Sequence, residues 1–323
     1  MSNQTAPALG ETPLSEIQDA ELLARLLASD RLSAAERAEA GDKLASLSDP
    51  RFRADRFFLP DEPLLGFVHI PSGPFRMGEA AQIVETPDFY IARYPTIVAQ
   101  YKAFIEDSGF EPGNPACVAD PANRPVAWVN WFEALAYCDW LSEKLAAHAR
   151  EILASVEGKD NAAFWTGLAE GQLRVTLPAE HEWEKAARGD QASAFPWGED
   201  INPQRANYKE SGIARTTAVG AFPAGASPYG VLDMSGNVWN WQRTQWGPSL
   251  EEPAYTLPYD ADDGRNALDG PADFLRGMRG GSFLVEEKRA RSTYRDAVNP
   301  ADRDDGDGFR VVIVSASELA AKP

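Results

Sequence analysis

Cysteine is nearly absent from this chain of 323 residues: Cys117 and Cys138 are too few to staple a disulfide-built domain, and no cysteine follows Cys138. Both read as reduced thiols, with Cys138 on the apolar face of a helix. Histidine is as scarce. His69, His148 and His181 form no close pair, which removes the pattern that a two-histidine, one-carboxylate iron site draws on. No apolar run approaches the roughly 18 to 20 residues needed to span a bilayer. The N-terminal stretch also lacks the basic and apolar regions of a secretory signal, so the expected location is the cytoplasm. Positive charge is outnumbered, 31 Lys and Arg against 49 Asp and Glu, and the net charge of −18 disfavours nucleic-acid backbones and anionic membranes as partners.

Helical periodicity occupies residues 14–48. Leu14, Ile17, Leu22, Leu23, Leu26 and Leu27 make one apolar stripe, and a second, alanine-rich segment follows Ser33, a suitable N-cap. This predicts a short helical hairpin ahead of a Pro- and Arg-punctuated connector, with 1–60 as a preamble and linker, 66–314 as the main domain and 315–323 as a tail. From Phe67 the texture changes to short strands and tight turns. Residues 67–78, FVHIPSGPFRMG, alternate around Pro-Ser-Gly as a β-hairpin would. Helices are expected over 96–108 with Thr96 as cap, from about Trp131 into the 150s, and after Pro178 as first helical residue up to Gly189. Residues 195–314 are mostly loops and short strands. Loops of that length are usually functional or held by buried polar contacts. The acidic stretches at 251–270 and 296–308 lack the alternation and terminal Glu of an EF-hand loop.

Several segments occur in a fixed order: 67–78, FYIARYPTIVAQYKAFIEDSGF at 89–110, PVAWVNWFEALAYCDWLSEKL at 125–145, RVTLPAEHEWEKAARG at 174–189, RANYKESG at 205–212, TAVGAFPAGASPYGVLDMSGNVWNW at 217–241, RGMRGGSF at 276–283 and DGDGFRVV at 305–312. In this order they resemble the sulfatase-modifying-factor, or formylglycine-generating enzyme, superfamily over about residues 66–314. The resemblance implies an α+β, C-type-lectin-like fold rich in irregular loops, here preceded by the helical hairpin.

The resemblance also shows where the family's chemistry is missing. Its copper-dependent oxidases hold Cu(I) between two thiolates placed shortly after the Gly-Gly-Ser turn. Val285 and Ala290 stand at those positions here, so no copper is expected. The family's calcium sites imply Asn207, Asn237 and Asn240 as metal ligands. That implication is weakened by Ser211 near an expected Asp and by Asn240 itself where a Glu belongs, because calcium affinity follows charged oxygen ligands.

Fold alone leaves the function open. The favoured expectation is a non-catalytic module that recognises a ligand or a protein partner through loops 242–275 and 283–307, with the hairpin joining it to that partner. Its binding residues would be Trp241, Ser282, Phe283, Leu284, Val285, Glu286, Glu287, Lys288 and Arg295. Leu284 and Val285 would fill the space of the lost thiolates, and Glu286, Glu287 and Lys288 would form a rim suited to a basic surface. The alternatives are an oxidoreductase with a carboxylate metal site drawn from Asp296, Asp302, Glu286 or Glu287, and a regulatory or assembly subunit.

Overall fold

A computed structural model describes residues 13–156, 161–260 and 262–319. The segment read for a secretory signal begins in residues 1–12, and the tail ends in residues 320–323; both stretches lie outside the described residues.

Asp19 and Ser33 cap the two helices of the hairpin, α1 (Ala20–Leu27) and α2 (Ala34–Ser46). Asp19 accepts from the Leu22 N–H, and Ser33 and Glu36 exchange bonds in a capping box. The apolar stripe expected to meet a partner is covered by the chain itself: Leu23, Leu26, Leu27 and Leu44 pack against Ala218, Ala221 and Phe222. Close approach needs Gly41, since a Cβ there would stand 2.6 Å from that of Ala218. The Arg37 guanidinium then donates to the carbonyls of Leu27, Ser29 and Ala221, and Asp42 pairs with both Arg124 and Arg215.

After the two-residue strands β1 (Phe52–Arg53) and β2 (Leu59–Pro60) come β3 (Phe67–Ile70), β4 (Gly73–Met77), β5 (Gln82–Thr86) and β6 (Phe89–Ala92). The hairpin expected across Pro71-Ser72-Gly73 does not form. β3 pairs with β6, and β4 with β5, so the chain changes sheets at that turn. The polar groups of the turn are taken from outside: Lys185 Nζ donates to the carbonyls of Pro71 and Gly73, and Asp88 accepts from the Ser72 N–H.

Helix α3 (Val98–Ser108) begins later than Thr96, whose N–H is committed to the Phe309 carbonyl; the Ile97 N–H is capped by Gln100 instead. Next come α4 (Trp131–Val156), α5 (Ala162–Ala169), β7 (Leu173–Thr176) and α6 (Glu180–Arg188). α6 starts beyond Pro178 because the Ala179 N–H is capped by Glu182. The last elements are β8 (Trp239–Gly247), β9 (Leu275–Arg279), β10 (Asp296–Val298), β11 (Asp307–Gly308), β12 (Val312–Ser315) and α7 (Ala316–Leu319).

Two four-stranded sheets organise the core, in the orders β3-β6-β12-β7 and β10-β9-β8-β11. Strand alternation splits the first between two layers. Phe67, Val175 and Ile313 join α3, α4 and α5, whereas Ile70, Phe89, Ile91, Val312 and Val314 meet Trp183, Ala186 and Ala187 of α6. In the second sheet Trp241 and Met278 face the α4 layer. Asn240, between Trp239 and Trp241, points the other way and bonds Trp183 of α6.

Candidate functional site

β9 leads into the Gly280-Gly281 turn, where φ of +95° and +75° would strain any other residue. A Cβ on Gly281 would lie 3.0 Å from Val285 Cγ2 and 3.1 Å from Ala290 Cα. The two positions implied for copper ligands therefore do flank one point, but hydrocarbon occupies both. Val285 packs on the main core, and Ala290 is fully buried against Ala194 and Phe195. Neither cysteine supplies a thiolate. Cys117 and Cys138 are buried, and burial pushes the thiol of Cys117 up to about 11 and that of Cys138 well above its ordinary value.

The expected binding residues divide by exposure. Glu286, Glu287 and Lys288 are exposed, and with Glu79, Glu210 and Arg291 they line an open crevice of about 530 Å³. Glu286 holds Lys209 at 2.7 Å, which places its carboxyl below the ordinary range. Four others are largely or partly covered by the fold. Trp241 has no exposed surface and donates through Nε1 to the Val129 carbonyl, and Ser282 and Phe283 are 1% and 6% exposed. Arg295 is clamped bidentately on Glu180 at 2.6 and 2.7 Å, with its guanidinium 4.7 Å from the Trp246 ring centre. Leu284, expected to plug the vacated space, is instead half exposed, because Phe283 and Val285 on either side of it take the inward places.

The three asparagines proposed as metal ligands are engaged within the protein. Asn240 Oδ1 accepts from both Trp183 Nε1 and Arg310 Nε, so a cation there would face a buried guanidinium. Asn237 Oδ1 accepts from Thr217 N and Asn207 Nδ2, and Asn207 Oδ1 from Ser211. Among the described residues no three His, Cys, Asp or Glu side chains converge as a metal site would require.

Behind the rim, α6 carries three buried carboxylates, each held by arginine. Glu180 takes Arg295 and Arg279, Glu182 takes Arg243, and Glu184 takes Arg279 and Arg188. Burial alone would raise Glu180, but Arg295 and Arg279 outweigh it and hold the carboxyl at about 2. Arg310 is fully buried, with its charge spread over Asn240 and the carbonyls of Ala92, Leu232 and Asp233. These clamps fix the frame of the loops.

Over residues 58–315 the chain matches the sulfatase-modifying factor enzyme 1-like domain. It belongs to that family. Among relatives of this sulfatase-modifying-factor protein, a hercynine oxygenase of Mycolicibacterium smegmatis is 29% identical, covering 76% of this chain and 60% of its own length. A formylglycine-generating enzyme of Thermomonospora curvata is 27% identical, covering 78% of this chain and 94% of its own. The chain thus spans less than two thirds of the hercynine oxygenase. Among solved structures, PvdO from Pseudomonas aeruginosa superimposes with a TM-score of 0.53 at 24% identity, covering 76% of this chain and 93% of its own. The α+β, C-type-lectin-like fold expected from the motifs is the one found.

Sequence reasoning missed the long-range members of the site. Glu79 and Glu210 reach the crevice from segments far from the 286–291 turn, and no local pattern marks them. Asp307 was hidden in an acidic run, although its place directly before the Gly-Phe-Arg motif marks a strand rather than a loop.

Proposed function

We propose that this sulfatase-modifying-factor protein is a recognition module that presents loops 283–291 and 302–307 to a basic protein partner. The observation that carries this reading is the crevice of about 530 Å³, lined by four glutamates against Lys288 and Arg291. Field complementarity steers a cationic surface toward such a rim, and screening by salt weakens it. Hydrocarbon at Val285 and Ala290 supports a role other than thiolate-copper oxidation. The oxidoreductase reading keeps a specific support of its own: two relatives are named for oxygenase and formylglycine-generating activities.

The test is the double variant Glu286→Lys, Glu287→Lys, titrated against an immobilised Lys- and Arg-rich decapeptide. Both side chains are exposed, so the melting temperature is expected to hold while binding and its salt dependence are lost. Unchanged binding would overturn the reading. Stoichiometric iron or copper in the purified protein would favour the oxidoreductase.

A further inference from the structure

Asp307 lies in register with Trp239 across the parallel pair β11–β8. Trp241 is in register with Met278 of β9, and Met278 with Asp296 of β10. Cross-strand partners, and residues two apart on a strand, project to one face of a sheet. Asp307, Trp239 and Asp296 therefore share a face, and Trp239 pairs there with Tyr294 at 6.1 Å between ring centres.

Asp307 is 8% exposed, and among the described residues no donor or cation reaches its carboxylate. The charges that bear on it are acids: Asp304, Asp302 and Asp305 from its own loop and Asp296 from β10. Of the cations in these segments, Arg303 is taken by Glu133 at 2.9 Å, and Arg289 reaches Asp296 at 3.6 Å with its guanidinium 5.9 Å from the Tyr294 ring centre. A largely buried carboxyl without a protein partner is stabilised by a proton or by a cation from outside. Burial first, and then the surrounding acids, raise it to about 7.

The carboxylates do not converge on a point as a metal site requires. A guanidinium answers the arrangement better, since its charge is spread over five N–H donors and its plane stacks on aromatic faces. We infer that Asp307 anchors an arginine side chain of the basic partner, with the guanidinium on the carboxylate and alongside Trp239. This rests on the recognition reading and names the group recognised.

The probe is the blocked tripeptide Ac-Ala-Arg-Ala-amide, measured by calorimetry beside its uncharged citrulline analogue and free arginine. The arginine tripeptide is expected to bind, with the citrulline peptide weaker by about tenfold or more, as loss of a charged pair implies. Free arginine, whose own carboxylate meets the acidic loop, is expected to bind more weakly than the blocked peptide. Protonation of a carboxyl at about 7 lowers affinity about tenfold between about pH 8 and pH 6. Asp307→Asn is expected to lose both the arginine preference and this pH dependence, and its melting temperature at about pH 8 reports that it is folded. Equal binding of arginine and citrulline peptides, a flat wild-type pH profile, or an unaffected Asp307→Asn would overturn the anchor; tighter binding of free arginine would overturn the peptide source. The rim variant separates the two failures: if it loses the decapeptide while Asp307→Asn changes nothing, the recognition reading stands without the anchor. Decapeptide binding untouched by the rim variant removes the reading itself.

Discussion

Glu182 on α6 and Arg243 on β8 form a salt bridge in which neither side chain is more than 3% exposed. Arg243 also donates to the Leu177 carbonyl, and the Glu182 carboxylate caps the Ala179 N–H, so the pair ties the helix start to the second sheet. Burial raises Glu182, but Arg243 outweighs it and the carboxyl lies below its ordinary value. Removing one partner strands the other charge away from water. Arg243→Met is expected to cost about 3–5 kcal/mol in denaturant unfolding.

Glu180 gives a pH signature of opposite sign to that of Asp307. Its folded value of about 2 lies below the ordinary 4.5, so its contribution to stability is present above about 4.5 and is lost as pH falls through about 2. Glu180→Gln is therefore expected to melt below wild type near neutrality, with the gap closing across that window. A gap independent of pH would show that the Arg295 clamp does not act through charge.

Asp307 is raised from 3.8 to about 7, so the folded state holds a proton that the unfolded state releases. Stability from this group is greatest below about 3.8 and declines as pH rises toward about 7. Asp307→Asn mimics the protonated form. Its melting temperature is expected to exceed wild type at about pH 8 and to converge with it near pH 4.

The docked hairpin makes a packing prediction. Leu27 is 1% exposed within the cluster that joins the hairpin to Ala218, Ala221 and Phe222. Leu27→Ala is expected to destabilise the whole protein by about 2–5 kcal/mol in a single transition. A separate early transition confined to the hairpin would show that it is not part of the cooperative unit.

Formylglycine formation on a sulfatase-type CxPxR peptide is expected to be absent with or without Cu(I), because both thiols are buried and their acidities suppressed. Turnover abolished by Cys117→Ser or Cys138→Ser would place a working thiol where none is expected.

Local chemistry made much of this legible in the sequence. The capping box at Ser33 and Glu36, the long helix from Trp131, the Gly280-Gly281 turn and the hydrocarbon at Val285 and Ala290 depend on residues near one another or on an ordered set of motifs. Pairings between distant segments were not legible. Periodicity marks Phe67–Ile70 as a strand, but its partner is β6, and Lys185, more than a hundred residues on, takes the carbonyls of the turn that follows it. Likewise the sequence marks Trp241, Phe283 and Arg295 as members of the site, yet exposure is a property of what covers a residue. The Val129 carbonyl, the Asn237 carbonyl bonded to the Phe283 N–H, and Glu180 draw these segments inward. Leu284 was left outside for the same reason, and Asp307 became a buried acid without a partner only when β11 closed against β8.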